Sequence, residues 1–278
     1  MKKKLCTIAA VLLMTSCHNA NNQELTTDSV SWNGVTVLCE SDQCQVIGLV
    51  DMENEMSIDL FRGSYNDSLL EALMPTGSLP SAINAYLVTD DNHRVLFDAG
   101  LGADKGGQLM DRLKNHATNP DSIDAVCITH LHADHIGGLL LDGNAAFPNA
   151  ILYLSKEENE AFCNNDLWLS VSAAYQDRIV MFQDGDTLLD GLVVAKLAPG
   201  HTPGHTVYVV DGGLCYIVGD LLHAQDLQID HPEFCARYDM DPDQARTTRR
   251  YWLDFLRNNS GYMSGAHCYD HFLELKRQ

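Results

Sequence analysis

The residues Thr129 to Gly138 read T-H-L-H-A-D-H-I-G-G and carry His130, His132, Asp134 and His135 within one short segment. Three imidazoles and a carboxylate so close together are a donor set for divalent cations, zinc first, with iron, manganese or cobalt as alternatives. The apolar run Ala125-Val126-Cys127-Ile128 before them reads as a buried strand. Residues two apart leaving a strand point the same way, so His130 and His132 can grip one ion while Asp134 and His135, on the turn into a helix, face a second. Gly137 and Gly138 would let that helix start pack close to the metals. A solvated polar loop is the competing account, and the apolar residues on both sides argue against it.

Further donors follow. Pro199-Gly200-His201-Thr202-Pro203-Gly204-His205-Thr206 is a second histidine-bearing loop that runs into the alternating strand Val207–Val210, with His205 directly against the strand. The strand Leu214–Val218 ends in Gly219-Asp220, and a carboxylate at such a strand end can bridge two cations. Tyr262–Ala266 delivers His267. The strand Arg94–Phe97 ends in Asp98-Ala99-Gly100-Leu101-Gly102, which does not meet the G-x-G-x-x-G spacing of a phosphate loop.

The stretch His130-Leu131-His132-Ala133-Asp134-His135 resembles the signature of the metallo-β-lactamase-fold hydrolases, and the likeness runs from about Val46 to the C-terminus. That resemblance implies an α/β fold, a four-layer αββα sandwich with its metals at the rim between two sheets. It assigns His130, His132 and His205 to one metal, Asp134, His135 and His267 to the other, and Asp220 between them. His205 matches the family's G-H-T element, which leaves His201 as a hydrogen-bonding partner behind the ligands. Asp98 takes the same supporting role by resemblance, with an ordinary turn residue as the alternative. A water or hydroxide bridging two ions has its pKa lowered toward neutrality and becomes a nucleophile.

A finer likeness lies in the tail, where Gly219-Asp220 is followed by His223, Gln228, Pro232, Asp239, Asp241, Ala245 and Arg249 before Gly265-Ala266-His267. Together with Leu79-Pro80 and Asn84-Ala85-Tyr86-Leu87-Val88, it resembles the branch containing methyl parathion hydrolase and the quorum-quenching lactonases. The resemblance implies a small-molecule substrate holding a lactone or another ester-like bond. Phosphotriesters or phosphodiesters, glutathione-type thioesters and a catalytically silent metal-binding protein are the alternatives. β-Lactamases of this fold use a cysteine or no carboxylate where this chain has Asp220, which disfavours antibiotic degradation. Asp134 and His223 are the candidates for handling protons. His223 stands where lactonases of this fold present a tyrosine to the substrate carbonyl. If the chain turns helical after Gly219, its ring points back at the metals one turn later; otherwise it is an imidazole hydrogen-bonded in the adjoining helix.

The 278 residues are 45% hydrophobic, enough for a sizeable core. Eighteen basic against 38 acidic residues, a net charge of −20, repel phosphate backbones and argue against nucleic acid as a partner. Met1–Cys17 reads as a targeting segment with a basic start at Lys2, Lys3 and Lys4, an apolar stretch Leu5–Leu13 and small residues before Cys17. Leu13-Met14-Thr15-Ser16-Cys17 resembles a bacterial lipobox, which implies lipidation of Cys17 and attachment to an envelope membrane by that anchor alone. Simple secretion is the alternative. Residues 18–31 are polar and read as a tether, and 32–278 as the hydrolase domain. Seven cysteines remain beyond Cys17, an odd number. Cys39 and Cys44 are close enough for a hairpin staple, whereas Cys127 and Cys215 sit in apolar runs as small buried hydrophobes.

The remaining periodicity predicts strands over Val35–Cys39, Gln45–Asp51, Ala82–Thr89, Ile151–Leu154, Ile179–Phe182 and Leu192–Leu197. Helices are expected over Asp67–Leu73, where the segment from Met52 could cover the mouth of the site, and over Gly107–His116, Lys156–Cys163, Asp166–Arg178 and Asp270–Lys276. Trp168 and Tyr175 share one helical face, either packed into the core or lining a pocket. The clearest helix is Asp241–Asn259, capped by Asp241 with Pro242 first, presenting Tyr251, Leu253, Phe255 and Leu256 inward and Arg246, Arg249 and Arg250 to solvent.

Overall fold

Alternation along the strand Ser78–Asp90 sets the architecture. Ala85 and Leu87 join one apolar cluster with Ile47, Leu96, Val126 and Leu152, whereas Tyr86 and Val88 join another with Phe97, Tyr208 and Ile217. A strand buried on both faces needs a layer on each side. The computed structural model describes residues 31–32, 34–270 and 273. The expected targeting segment, Cys17, the tether except Ser31 and most of the expected helix 270–276 lie outside these residues. Leu273 bridges Met263 in antiparallel pairing, which is not the helical geometry expected there.

The first sheet has eight strands, in spatial order Ser31–Trp32, Val35–Glu40, Cys44–Ser57, Ser78–Asp90, Arg94–Phe97, Ala125–Cys127, Ile151–Ser155 and Ile179–Phe182. Pairing is antiparallel as far as Arg94–Phe97 and parallel beyond it. The second sheet orders Thr187–Leu188, Val193–Leu197, Thr206–Val210, Cys215–Gly219 and Tyr262–Gly265, with only the last pair parallel. Between the sheets pack Val46, Tyr86, Phe97, Val193, Tyr208 and Ile217. Helices Leu109–Asn115 and Asp166–Tyr175 cover the outer face of the first sheet, and Pro242–Asn258 covers Val207, Tyr216 and Val218 of the second through Trp252, Leu253 and Leu256. The layers therefore run helix, sheet, sheet, helix, as expected.

Trp168 and Tyr175 are core residues. The Tyr175 hydroxyl donates to the Leu139 carbonyl at 3.1 Å and accepts from the Phe147 N–H at 3.2 Å. Cys39 stands opposite Val46 in the ladder, and Cys39 and Cys44 are both free thiols, so the hairpin carries no staple. In the long helix Asp241 caps the Gln244 N–H at 3.0 Å. Its buried stripe is Ala245, Thr248, Arg249, Trp252, Leu253 and Leu256; Tyr251 is exposed, and Arg249 faces inward, contrary to the sequence reading. The hairpin arm carrying the helix Asp67–Leu73 packs Phe61, Leu70 and Met74 against Leu227, Phe234 and Ala236, which bolts it to the chain just beyond Asp220. No helix among the described residues is long and apolar enough to cross a membrane.

Candidate metal centre

The strand Ala125–Cys127 leads through Ile128 into Thr129-His130, and a short helix Ala133–Ile136 begins directly after His132. A Cβ on Gly137 would collide with the Leu101 carbonyl oxygen, and one on Gly138 with that of Ala99. These glycines thus seat the motif's helix against the chain following Asp98. The Ala99 N–H donates to the His135 carbonyl at 2.7 Å, closing that contact. Asp51, buried at a break in its strand's register, accepts from the N–H groups of Leu101 and Leu109 at 2.8 Å each and holds the other end of the same loop.

His130, His132, His201 and Asp220 form one group of convergent donor atoms, and Asp134, His135 and His267 a second. The His201 Nε2 lies 3.1 Å from His130 Nε2 and 2.9 Å from His132 Nδ1, while His130 Nε2 and His132 Nδ1 are 3.0 Å apart. Asp220 stands between the groups. Its Oδ2 is 3.3 Å from His201 Nε2 and 3.2 Å from His267 Nε2, and its Oδ1 is 3.1 Å from His135 Nε2. Asp134 completes the second group, its Oδ2 being 3.5 Å from His267 Nε2 and 3.8 Å from His135 Nε2. Six of the seven ligands expected from the sequence thus converge.

The seventh, His205, does not, and its place is taken by His201. His205 Nδ1 lies 3.0 Å from the Ala198 carbonyl and its Nε2 accepts the Asp220 N–H at 3.0 Å, so both ring nitrogens are engaged with backbone. Gly219, at φ +51°, leaves no room for a Cβ beside the His205 ring. His205 therefore braces the backbone of Asp220, and it is His201, not the expected His205, that stands with His130 and His132.

The rings are oriented from behind. Asp98 Oδ2 is 2.8 Å from His135 Nδ1 and accepts the Thr129 hydroxyl at 2.8 Å, while its Oδ1 accepts the Thr129 N–H. With its proton so committed, Thr129 Oγ1 can only accept from His130 Nδ1, 3.1 Å away. Asp239 Oδ1 faces His201 Nδ1 at 3.1 Å, and the Ala82 carbonyl faces His267 Nδ1 at 2.8 Å. Each acceptor takes the Nδ1 proton and turns Nε2 toward the cluster. Asp239 in turn pairs with the guanidinium of buried Arg249 at 3.1 Å, which also donates to the carbonyls of Leu221, Pro232 and Phe234. The sequence reading missed this function of Arg249; the signal was its place on the Ala245-Trp252-Leu253-Leu256 stripe.

Burial lowers His130 and His132 and pushes His201 down to about 3 and His205 to about 4, so these rings keep a free lone pair at neutral pH. Burial also opposes charge on His135 and His267, but Asp220, with Asp98 and Asp134 at His135 and Asp134 at His267, holds both above the usual range, His267 at about 9. Asp220 is pushed up by burial, yet His267, His135 and His130 keep it well below an ordinary carboxylate.

The donor set fits divalent cations. Lone pairs of His130 and His201 aimed at each other across 3.1 Å repel unless a cation lies between them. The buried His135 Nε2 and Asp220 Oδ1 make no hydrogen bond of good geometry. His223, the other expected catalytic residue, is fully buried, its Nε2 3.4 Å from Asp220 Oδ2 and its ring stacked on His267 at 5.5 Å. A loop and not a helix places it, because the helix begins at Gln225 and the Gln228 side chain caps the N–H groups of His223 and Ala224.

Two sheets between helices, with these donors gathered at strand ends of both, define an αββα sandwich with a candidate metal centre at its rim. The chain belongs to the Metallo-beta-lactamase superfamily, whose profile matches residues 79–274, and the family expectation is borne out. The solved structure of the hydrolase AbOPH superimposes with a TM-score of 0.79 at 26% identity, covering 88% of this chain and 94% of that one. AidC, a dizinc quorum-quenching lactonase, shares the fold with a TM-score of 0.78 at 23% identity over 86% and 92% of the two chains. The hydroxyacylglutathione hydrolase of Aeromonas salmonicida (strain A449) is 33% identical over 141 residues, 49% of this chain and 45% of that enzyme, so the match spans less than half of that relative.

Proposed function

We propose that this chain is an exported hydrolase that holds two divalent cations, zinc by preference, and opens a lactone or cleaves a related ester bond in a small molecule. The observation that carries the reading is Asp220, which reaches both donor groups: its Oδ2 faces His201 of the first and His267 of the second, and its Oδ1 faces His135 of the second. Bound there, two cations would supply Lewis-acid polarisation of a carbonyl and activation of water near neutral pH. The chain's own work is orientation: Asp98, Asp239 and the Ala82 carbonyl fix three rings, and His205 fixes the bridging carboxylate. Asp134, about one quarter exposed, stands at the solvent side and is placed to receive a proton from water. AbOPH supports hydrolysis, and the fold shared with AidC is one on which two zinc ions and lactone opening occur together. A screen of zinc-loaded protein against lactones, thioesters, aryl esters, phosphoesters and β-lactams tests the assignment. Turnover led by lactones or aryl esters is expected; phosphoesters or glutathione thioesters leading would replace it, and no turnover at all would favour a silent metal-binding protein.

His223 is proposed to polarise the carbonyl or protonate the leaving alcohol. A purely structural histidine needs partners for its ring, and both ring nitrogens of His223 are buried without a hydrogen bond while its backbone N–H is satisfied by Gln228. His223→Ala is expected to retain both metals and lower turnover about 10²-fold, the usual size for a positioned acid or base. Full activity with both metals present would make the residue structural.

Export rests on the leader-like start, and we propose that Cys17 carries the lipid. Two or three acyl chains suffice for stable anchoring. Cys17→Ala should move the enzyme from the membrane to the soluble fraction; an unchanged distribution would favour simple secretion.

A further inference from the structure

Glu158 lies at the third position of the helix Lys156–Ala161, behind the cap Ser155, in a stretch whose composition K-E-E-N-E-A reads as a solvated surface. It is 1% exposed. Its carboxylate does not point outward: Oε1 accepts the Leu131 N–H at 2.9 Å, and Oε2 accepts the Thr202 hydroxyl at 2.7 Å and the Gly204 N–H at 2.9 Å. Leu131 sits between His130 and His132, and Thr202 follows His201. Ser155 adds to the contact by donating to the Gly204 carbonyl at 2.8 Å while capping the Glu158 N–H at 3.1 Å. A Cβ on Gly204 would collide with Ser155 Oγ and the Glu158 backbone, so this loop was built to lie against the helix start.

We infer that Glu158 is a positioning residue that joins the loop of His130 and His132 to the loop of His201, and so fixes the first donor group directly and reaches the second only through His205 and Asp220. This rests on the two-cation reading above. Its three hydrogen bonds all go to the two loops that carry the first donor group, and the described hydrogen bonds of its carboxylate include none to Asp134, His135 or His267. A carboxylate is needed because both oxygens must accept. In Glu158→Gln the new NH₂ faces either the Leu131 or the Gly204 N–H whichever way the amide turns, and two buried donors then meet. One loop must move, and its histidine moves with it.

The test is a competitive chelator titration with zinc on purified full chain, giving two stepwise affinities, with histidine ring NMR to show which rings lose their ion. Wild type should take up two ions. Glu158→Gln should weaken one step by about 10- to 100-fold, the usual size for changes behind a ligand, with the signals of His130, His132 and His201 changing most and the other step weakened less. Thr202→Val removes one of the three hydrogen bonds and should shift the same step less; it decides the matter should the glutamine variant fail to fold. Two unchanged steps, or two steps weakened equally, overturn the role of Glu158. Wild-type protein that binds fewer than two zinc ions overturns the underlying two-cation reading, and this inference with it.

Discussion

Asp220→Ala should lower hydrolysis of the best substrate by more than about 100-fold, beyond the range expected for residues that only orient ligands. The carboxylate lies within 3.1–3.4 Å of ring nitrogens of His135, His267, His201 and His223, so its removal leaves both donor groups without their shared member. It would also remove the negative charge that would let two cations approach each other, leaving Asp134 as the one carboxylate of the two donor groups. The measurement is turnover alongside metal content: fewer bound ions together with lost activity is expected, and a variant with two ions and near-normal turnover would show that Asp220 does not bridge. His132→Ala should behave similarly, since its Nδ1 lies within 3.0 Å of both His130 and His201.

Arg249→Leu should cost about 3–5 kcal/mol of folding stability, the size associated with removing one partner of a buried ion pair. The guanidinium is 1% exposed, pairs with Asp239 at 3.1 Å and satisfies three carbonyls of the chain between Leu221 and Phe234. Truncation strands the Asp239 charge and those carbonyls together. Combining Arg249→Leu with Asp239→Asn should cost less than the sum of the single changes, because the charge left unpaired in the first is absent in the double variant. Denaturant unfolding of the four proteins checks this; a loss below about 1 kcal/mol for Arg249→Leu would mean the pair contributes little.

The donors of the central motif were legible because a strand exit imposes its direction on neighbouring side chains: His130, His132, Asp134 and His135 could be placed by spacing alone. Alternation likewise exposed the strands buried on both faces, such as Ser78–Asp90. The choice between His201 and His205 was not legible in the same way. It depends on Gly219 bringing the backbone of Asp220 against the His205 ring, a contact between separate strands that spacing within one loop does not encode. Arg249 read as solvated because charged side chains are rarely buried without a partner, and its partner Asp239 lies in the preceding loop. Glu158 was hidden for the same reason: its helix is polar by composition, and the donors that fill its carboxylate come from loops before and after it in the chain.

The most direct test of the central claim is the number of ions held by the purified, metal-replete protein, measured by elemental analysis on wild type and Asp220→Ala side by side. Two transition-metal ions per wild-type chain are predicted, with fewer in the variant. A wild-type chain that carries none after metal-replete expression would contradict the account.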